Sequence, residues 1–269
     1  MSAMTVEPIS AGGGPALAPV LAASGIRKSY GAIHALHGVD FEVAPGEVVA
    51  LVGDNGAGKS TLIKALSGVE RPDEGAIAVA GESVDLSGPG ASAALGVATV
   101  YQDLALCDNL DVVQNLFLGR ERKHARTRFL DETAMEHEAI SLLQALSVRL
   151  RDLRAEVRAL SGGQRQAVAI ARALIGDPKV VLLDEPTAAL GVAQTHEVLE
   201  LIHRLRAKGL GVVLVSHNLA DVFSVSDRIT VLRLGRRAAT FAVNECTREA
   251  VVAAITGVEG GLPPREGRR

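Results

Sequence analysis

The feature that most constrains this sequence is a glycine-rich stretch between a short apolar run and a helical pattern. Residues 53–61 read GDNGAGKST and match the pattern G-x-x-x-x-G-K-[ST], known as the P-loop. The run EVVALV precedes it, and continuous apolar runs of this kind are typical of strands buried on both faces of a sheet. Because the loop works only between a strand and a helix, the chain must build an α/β fold around it.

Three further apolar runs of the same kind follow along the chain. They are VATVY at 97–101, VVLLD at 180–184 and GVVLVS at 211–216. Short runs rich in valine and leucine, separated by helical patterns, predict a mostly parallel core sheet covered on both faces. The segment FEVAPGEVVALV has a turn at Pro45 and Gly46 between two strand-like runs, which predicts a hairpin from an antiparallel β addition.

The interval from about 103 to 159 differs in composition from the rest of the chain. It carries many charges, has no glycine after Gly119, and repeats apolar residues at helical spacing after Asp131, which we expect to be an N-cap. This predicts a helical subdomain inserted into one domain over 20–257. We also expect helices over about 193–207 and 247–256, a disordered extension over 1–19 and a flexible tail over 258–269.

Composition limits the cellular setting and the partners. Two cysteines in 269 residues are too few for a disulfide framework or a metal cluster, which favours the cytoplasm. A formal net charge of -3 argues against nucleic acid as a partner, and a basic cluster at 120–128 is interpreted as a solvated loop. No run approaches the roughly 18 to 20 apolar residues of a membrane helix, so a membrane role requires a partner.

The P-loop residues predict nucleotide binding. Glycines let the backbone wrap the β-phosphate, Lys59 brings a charge to the β and γ oxygens, and the Ser60 hydroxyl can contact Mg²⁺. The expected nucleotide-binding residues of this stretch are Gly53, Asp54, Asn55, Gly56, Ala57, Gly58, Lys59, Ser60 and Thr61.

The stretch VVLLDEPT places two carboxylates at the end of a buried strand. Asp184 can hold Mg²⁺ through water, and Glu185 is the candidate general base that polarises a water for attack on the γ-phosphate. The alternative is that the pair only caps a strand.

Gln102 and His217 also follow strand-like runs. We expect the Gln102 amide to contact Mg²⁺ or the attacking water and the His217 imidazole to reach the γ-phosphate, although Gln102 alone would be an ordinary turn residue. The catalytic residues predicted here are therefore Glu185, His217 and Gln102, and the metal contacts are Ser60, Gln102 and Asp184.

A second stretch offers an anion site. In LSGGQRQAVAIARAL, residues 160–174, a Ser-Gly-Gly sequence opens an apolar-periodic helix, which leaves free backbone N–H groups at its start. The P-loop already supplies a phosphate cradle, so these residues pose the question of whose phosphate they contact.

Together these motifs resemble ABC (ATP-binding cassette) ATPases over about 21–257, where the P-loop, Gln102, LSGGQ, LLDEPT and His217 occur in the same order. The resemblance implies the P-loop NTPase ABC ATPase fold and an ATP sandwich with a second cassette, expected as a homodimer with a heterodimer left open. It implies that Ser161, Gly162, Gly163 and Gln164 contact the partner's nucleotide and that Tyr30 stacks on adenine. The alternative for Tyr30 is packing on a neighbouring strand.

Two stretches, TVYQDLALCDNLDVVQNLFLGRE and PTAALGVAQT, are similar to importers of simple sugars of the ribose, xylose or fructose type. This implies an ATP-hydrolysing subunit peripheral on the inner face of the cell membrane. Its helical subdomain would dock on a membrane permease, and an extracellular sugar-binding protein would be an indirect partner. The chain departs from the family in having Gly191 where an aspartate is usual, and one cassette where many such importers fuse two.

Two other classes share the sandwich. ATPases of DNA maintenance insert long coiled coils between the two phosphate motifs, but the interval between Lys59 and Ser161 has no sustained heptads. Translation factors carry two cassettes and a charged linker. Sugar import is the preferred function, and neighbouring genes for a permease and a sugar-binding protein would favour it.

Overall fold

A computed structural model describes residues 18–258 of the chain, so residues 1–17 of the extension expected at 1–19 and residues 259–269 of the tail expected at 258–269 lie outside the described residues. The strands are β1 (Leu21–Tyr30), β2 (Ile33–Val43), β3 (Val48–Val52), β4 (Glu74–Val79), β5 (Glu82–Val84), β6 (Val97–Val100), β7 (Val180–Asp184), β8 (Gly211–Val215), β9 (Arg228–Arg233) and β10 (Arg236–Ala242). The α-helices are α1 (Lys59–Leu66), α2 (Pro89–Ala94), α3 (Val112–Phe117), α4 (Glu132–Ala145), α5 (Gly162–Leu174), α6 (Val192–Ala207), α7 (Leu219–Val225) and α8 (Arg248–Thr256).

The apolar runs form the centre of a six-stranded sheet with the order β10-β9-β3-β8-β7-β6. Every neighbouring pair from β9 to β6 is parallel, and the edge strand β10 is antiparallel to β9. All five residues of β3 and of β8 are buried. The mostly parallel sheet predicted from continuous apolar runs is confirmed.

A second sheet, of order β2-β1-β4-β5, is antiparallel throughout, as expected for the β addition. The hairpin predicted at Pro45 and Gly46 is wrong. Strand β2 pairs with β1 in the second sheet, whereas β3 lies between β8 and β9 in the first. The fully buried β3 has parallel partners on both edges, so the turn connects two sheets rather than two paired strands.

Alternate residues of the central strands pack into two apolar layers. Val49 and Leu51 face the cluster that contains α1 and the antiparallel sheet, whereas Val48 faces the cluster formed with α3, α4, α5 and α6. Burying a side chain of this size contributes about 1.5 to 3 kcal/mol. Both faces of the sheet are therefore covered by apolar side chains, and the ends of its strands are left for polar residues.

The inserted region contains two α-helices and a short 3-10 helix (Val157–Ala159), and the rest of it is irregular. Asp131 is the N-cap of α4 and accepts a hydrogen bond from the Ala134 backbone N–H at 3.0 Å, as predicted. The basic cluster lies in an exposed segment between α3 and α4. Helices α6 and α8 match their predicted ranges to within one residue. Over residues 18–258, no helix has the length and apolar character needed to cross a membrane.

Candidate nucleotide-binding site

The register of the parallel strands brings four chemically important segments to one sheet edge. Val215 of β8 pairs with Leu51 of β3 on one side and with Asp184 of β7 on the other. The loops that follow these strands, and the loop after the adjacent β6, therefore leave from the carboxyl edge, where open α/β sheets bind ligands. The P-loop, Asp184 with Glu185, His217 and Gln102 all lie on this edge.

Glycine is required in the P-loop because of close contacts with the chain's own backbone. A Cβ on Gly53 would lie 2.2 Å from the Leu232 carbonyl oxygen. Gly58 has φ +104°, and its Cβ would lie 2.9 Å from the Ala35 carbonyl oxygen. Gly58 is also the N-cap of α1, so the loop enters the helix with no side-chain cap. The N-cap thus gives no side-chain oxygen to the backbone N–H groups of the first turn, and such groups can bind an anion.

Lys59 holds its charge at the centre of this loop. Its half-buried ammonium donates to the carbonyl oxygens of Gly53 at 2.7 Å and Asp54 at 3.0 Å. Burial raises the pKa of Asp184, the neighbouring Glu185 adds to the increase, and Lys59 opposes it. The Lys59 charge is thus close enough to the end of β7 to favour the ionised form of this carboxyl.

Glu185 and His217 form a hydrogen-bonded pair, with His217 Nδ1 2.8 Å from Glu185 Oε2. The side chain of Glu185 is only 15% exposed, whereas that of His217 is 74% exposed, so an exposed imidazole is hydrogen-bonded to a mostly buried carboxylate. Glu185 has φ +51°, a left-handed conformation that costs a non-glycine residue on the order of 1–2 kcal/mol. Its backbone N–H donates to Val215 O at 3.0 Å, which helps to hold the strained turn.

Gln102 and Ser60 are both exposed. Gln102 lies two residues after β6, and Ser60 is the second residue of α1. The structure therefore leaves both polar side chains accessible near the sheet edge that carries Asp184.

Tyr30 ends β1 and is 43% exposed. Its hydroxyl donates to Glu70, and the Lys28 ammonium lies 5.8 Å from its ring centroid. Burial raises the pKa of the Tyr30 phenol, the bond to Glu70 adds to the increase, and Thr61 of α1 opposes it. The ring is thus fixed close to the helix that follows the P-loop. Sequence reasoning missed Glu70, because a contact between residues 40 positions apart leaves no local pattern.

The signature residues lie at the start of a different helix. Ser161 is the exposed N-cap of α5, and its Oγ accepts from the Gln164 backbone N–H at 3.2 Å. The Gln164 side-chain oxygen accepts in return from the Ser161 N–H at 3.0 Å. Gly163 is buried against α6, where a Cβ would lie 3.1 Å from Gln194 Cβ. Helix α5 packs on α3, α6 and β6.

Comparison with known protein families agrees with this architecture. The family model described as ABC transporter matches residues 36–188, which include the P-loop, Gln102, the signature and the end of β7. The chain belongs to the ABC transporter family. This family member is an ATPase cassette that binds nucleotide.

Curated ABC relatives cover most of the chain. It is 46% identical over 254 residues to the fructose import ATP-binding protein FrcA of Rhizobium meliloti, covering 92% of this chain and 97% of that protein. It is 48% identical to the xylose/arabinose import ATP-binding protein XylG of Sulfolobus acidocaldarius, covering 78% of this chain and 83% of that one. A ribose import ATP-binding protein of Rubrobacter xylanophilus is 44% identical, but the match spans 46% of its length.

Solved ABC cassettes share the fold. A nucleotide-free ATP-binding cassette from an ABC transporter has a TM-score of 0.77 at 26% identity, with 89% of this chain and 96% of that chain covered. A dimeric cassette in a post-hydrolysis state, bound to ADP and Pi, has a TM-score of 0.70 at 26% identity, with 83% and 98% covered.

Proposed function

We propose that this cassette couples hydrolysis of ATP to the import of a simple sugar through a membrane permease. The observation that carries the chemical part is the hydrogen-bonded pair Glu185 and His217 on the same sheet edge as the P-loop. The transport part is supported by the relatives, which are named for import of fructose, xylose or arabinose, and ribose.

Within the binding site, Lys59 and the free N–H groups at the start of α1 bind the β- and γ-phosphates. Tyr30 stacks on the adenine ring, a contact worth on the order of 1 kcal/mol. The hydrogen bond to Glu70 and the nearby Lys28 leave this ring little freedom, which favours a preformed stacking surface.

Mg²⁺ fits the residues at this edge. The Ser60 hydroxyl, the Asp184 carboxylate and the Gln102 amide would supply oxygen ligands, and Mg²⁺ is usually bound by one or two carboxylates together with substrate phosphates. No group of three His, Cys, Asp or Glu side chains within the described part of the chain could hold a metal alone, so phosphate oxygens would complete the site. When bound, the ion neutralises charge on the β and γ oxygens.

The chain's own residues prepare the attacking water. The Glu185 carboxylate accepts a proton from a water positioned in line with the γ-phosphorus, and His217 Nδ1 orients that carboxylate. Gln102 contacts the water or the metal from the adjacent strand. As the water oxygen bonds to phosphorus, the bond to the bridging oxygen of ADP breaks, which yields ADP and phosphate.

The signature residues act on a second cassette. We propose a homodimer in which Ser161, Gly162, Gly163 and Gln164 contact the γ-phosphate bound at the partner's P-loop. The exposed Ser161 at the positive end of α5 supports this assignment, as does the fold shared with a dimeric cassette.

The cassette works from the cytoplasmic side of the membrane, docked on the permease through its helical subdomain. An extracellular sugar-binding protein delivers the sugar to the permease. Non-transport ABC ATPases of DNA maintenance or translation remain the alternative, but the most similar named relatives reported above are import proteins.

Glu185→Gln tests the chemical assignment. We expect MgATP affinity to persist and turnover to fall by about 10² to 10⁴, the usual effect of losing a general base. The exposed Glu82 is the matched control, because it lies on β5 in the other sheet and Glu82→Gln makes the same chemical change there. Turnover near the wild-type value in Glu185→Gln would contradict the role of Glu185.

Transport is tested separately in vesicles that contain the cassette and its permease, with the extracellular sugar-binding protein supplied on the side from which sugar enters. With fructose, xylose, arabinose and ribose as probes, we expect ATP-dependent uptake of at least one sugar and loss of that uptake in Glu185→Gln. ATP hydrolysis without uptake of any of the four would contradict import of a simple sugar while leaving the chemical assignment intact.

A further inference from the structure

One arginine of helix α5 holds the segment that follows Gln102. Arg172 Nη2 donates to the carbonyl oxygen of Leu104, and Nη1 donates to that of Ala105, each at 2.7 Å. The hydrogen bonds join residues 68 and 67 positions apart. A planar guanidinium can bind two successive carbonyls at once, which an ammonium cannot do with the same geometry.

The backbone held by Arg172 is strained. Ala105 has φ +49°, in the left-handed region that non-glycine residues rarely adopt. The Asp103 carboxylate accepts from the Ala105 N–H at 3.2 Å, so contacts on both sides of this residue stabilise the turn. Strained residues of this kind persist where their surroundings impose the conformation.

The Arg172 guanidinium has carbonyl oxygens rather than a carboxylate as its hydrogen-bond acceptors within the described residues. The side chain is half-buried, and no salt bridge to it is found among residues 18–258. Burial lowers the pKa of the guanidinium, and the nearby Arg120 lowers it further. An arginine with no carboxylate partner in a partly buried place depends on its carbonyl acceptors for hydrogen bonding.

Asn115 of α3 anchors the more distant part of the same segment. This fully buried amide accepts from the Cys107 N–H at 2.7 Å and donates to the Cys107 and Leu110 carbonyls. Side-chain hydrogen bonds therefore hold the segment between Gln102 and α3 at two places. The bonds from Arg172 are nearer in sequence to Gln102 than those of Asn115.

We propose that Arg172 is a positioning residue for Gln102, which it fixes through the Leu104 and Ala105 carbonyls. The inference rests on the role proposed above for Gln102. Because α5 begins with the capping residue Ser161, the same arginine links the Gln102 segment to the helix that would contact the partner's nucleotide. Arg172 is thus placed to couple the two phosphate contacts of one chain.

The first test is Arg172→Lys in the full chain. This variant keeps the charge but loses the two-carbonyl geometry. We expect turnover at saturating MgATP to fall on the order of tenfold, as when a reacting group is misplaced, while MgATP affinity changes by less than about twofold. Hydrogen exchange of the amides at 103–106 should become faster. Unchanged turnover or unchanged exchange would overturn the inference.

Arg204→Lys is the matched control. Arg204 of α6 is likewise partly buried and donates to a backbone carbonyl, that of Leu146, at 2.8 Å, but it bonds this one carbonyl where Arg172 bonds two. We expect this variant to lose a similar amount of thermal stability but to keep its turnover and its exchange at 103–106. Equal loss of turnover in Arg204→Lys would show a general structural effect and would overturn the inference.

A double-mutant cycle with Gln102→Ala separates positioning from an independent role. If Arg172 acts through Gln102, the variant carrying Gln102→Ala and Arg172→Lys should turn over as slowly as Gln102→Ala alone. If the two effects multiply, the inference is wrong although the role of Gln102 stands. Normal turnover in Gln102→Ala alone would instead contradict the proposed role of Gln102, and with it the inference.

Discussion

Helices α1 and α5 both begin with glycine and serine near a proposed phosphate contact, but the chain completes their N-termini differently. At α1 the N-cap is Gly58, with no side-chain cap. At α5 the N-cap is Ser161, which forms a reciprocal capping box with Gln164. The first helix leaves its N–H groups for a ligand, whereas the second already satisfies one of them with its own serine.

The surroundings of the two N-termini differ as well. The P-loop is enclosed by other segments of its own chain, since the Gly235 N–H donates to Ala57 O and the Leu232 carbonyl lies against Gly53. Ser161 is exposed, and the two glycines that follow it lie mainly against side chains. A Cβ on Gly162 would lie 2.8 Å from Leu190 Cδ2, and a Cβ on Gly163 would lie 3.1 Å from Gln194 Cβ of α6. The comparison teaches that the surroundings of the P-loop come from its own chain, whereas the signature begins with an exposed, capped serine, as the half-site proposed above requires.

The largest expected effect is the loss of MgATP affinity in Lys59→Ala, at the N-terminus of α1. This substitution removes the ammonium charge from the P-loop, so MgATP affinity should fall by about 10- to 100-fold, the value of a charged hydrogen bond, and turnover should fall with it. Isothermal titration measures the affinity, and the exposed Lys208→Ala is the control. Unchanged affinity and turnover in Lys59→Ala would break the comparison.

A pair of glycine substitutions sharpens the structural side of the contrast. Gly58→Ala introduces a Cβ at 2.9 Å from a backbone oxygen with φ +104°, so the free energy of unfolding should fall by about 1–3 kcal/mol. In Gly163→Ala the Cβ meets Gln194 Cβ at 3.1 Å in a helical conformation, and improved helix propensity offsets part of the crowding. Urea denaturation should show the smaller loss for Gly163→Ala, and the reverse order would contradict this account.

Removing the N-cap of α5 is expected to lower the free energy of unfolding by the next smaller amount. Ser161→Ala should lower the free energy of unfolding by about 1 kcal/mol through loss of the N-cap, while MgATP affinity of the single chain stays unchanged. Ser141→Ala on α4 removes an exposed hydroxyl that is not a cap and should change stability by less than about 0.5 kcal/mol. A loss of single-chain affinity in Ser161→Ala would place the signature in the chain's own site.

The smallest change in the free energy of unfolding is expected at α6. Its N-cap is Gly191, which has no side chain to accept a hydrogen bond. Gly191→Asp supplies a capping carboxylate and should raise the free energy of unfolding by a few tenths of a kcal/mol. Thermal denaturation of matched samples measures it. A clear loss of stability would mean that the backbone at Gly191 does not accept a capping side chain.

Sequence reasoning predicted what is encoded by neighbouring residues. The continuous apolar runs predicted β3, β6, β7 and β8, because a strand buried on both faces needs such a run wherever its partners lie. The pairing of β2 was predicted wrongly, because a Pro-Gly turn is compatible both with a hairpin and with a passage between sheets. Partner choice depends on distant strands that a local turn does not specify.

The candidate site divides in the same way. The residues within motifs, such as Lys59 and Glu185, were predictable because phosphate chemistry demands fixed spacings. Glu70 beside Tyr30 and Arg172 beside Ala105 were not, because each contact joins segments 40 or more positions apart. These supporting contacts depend on the folded arrangement of β1, α1, α5 and the Gln102 segment, not on any repeated pattern.

The most direct test of the central claim mixes two inactive chains. Lys59→Ala disables the P-loop, and Ser161→Arg disables the signature, so a heterodimer of the two contains one composite site with both lesions and one with neither. We expect little nucleotide trapped with vanadate and Mg²⁺ in either pure variant and clearly more in the mixture. If trapping in the mixture does not exceed the average of the pure variants while heterodimers are shown to form, the signature does not act across a dimer.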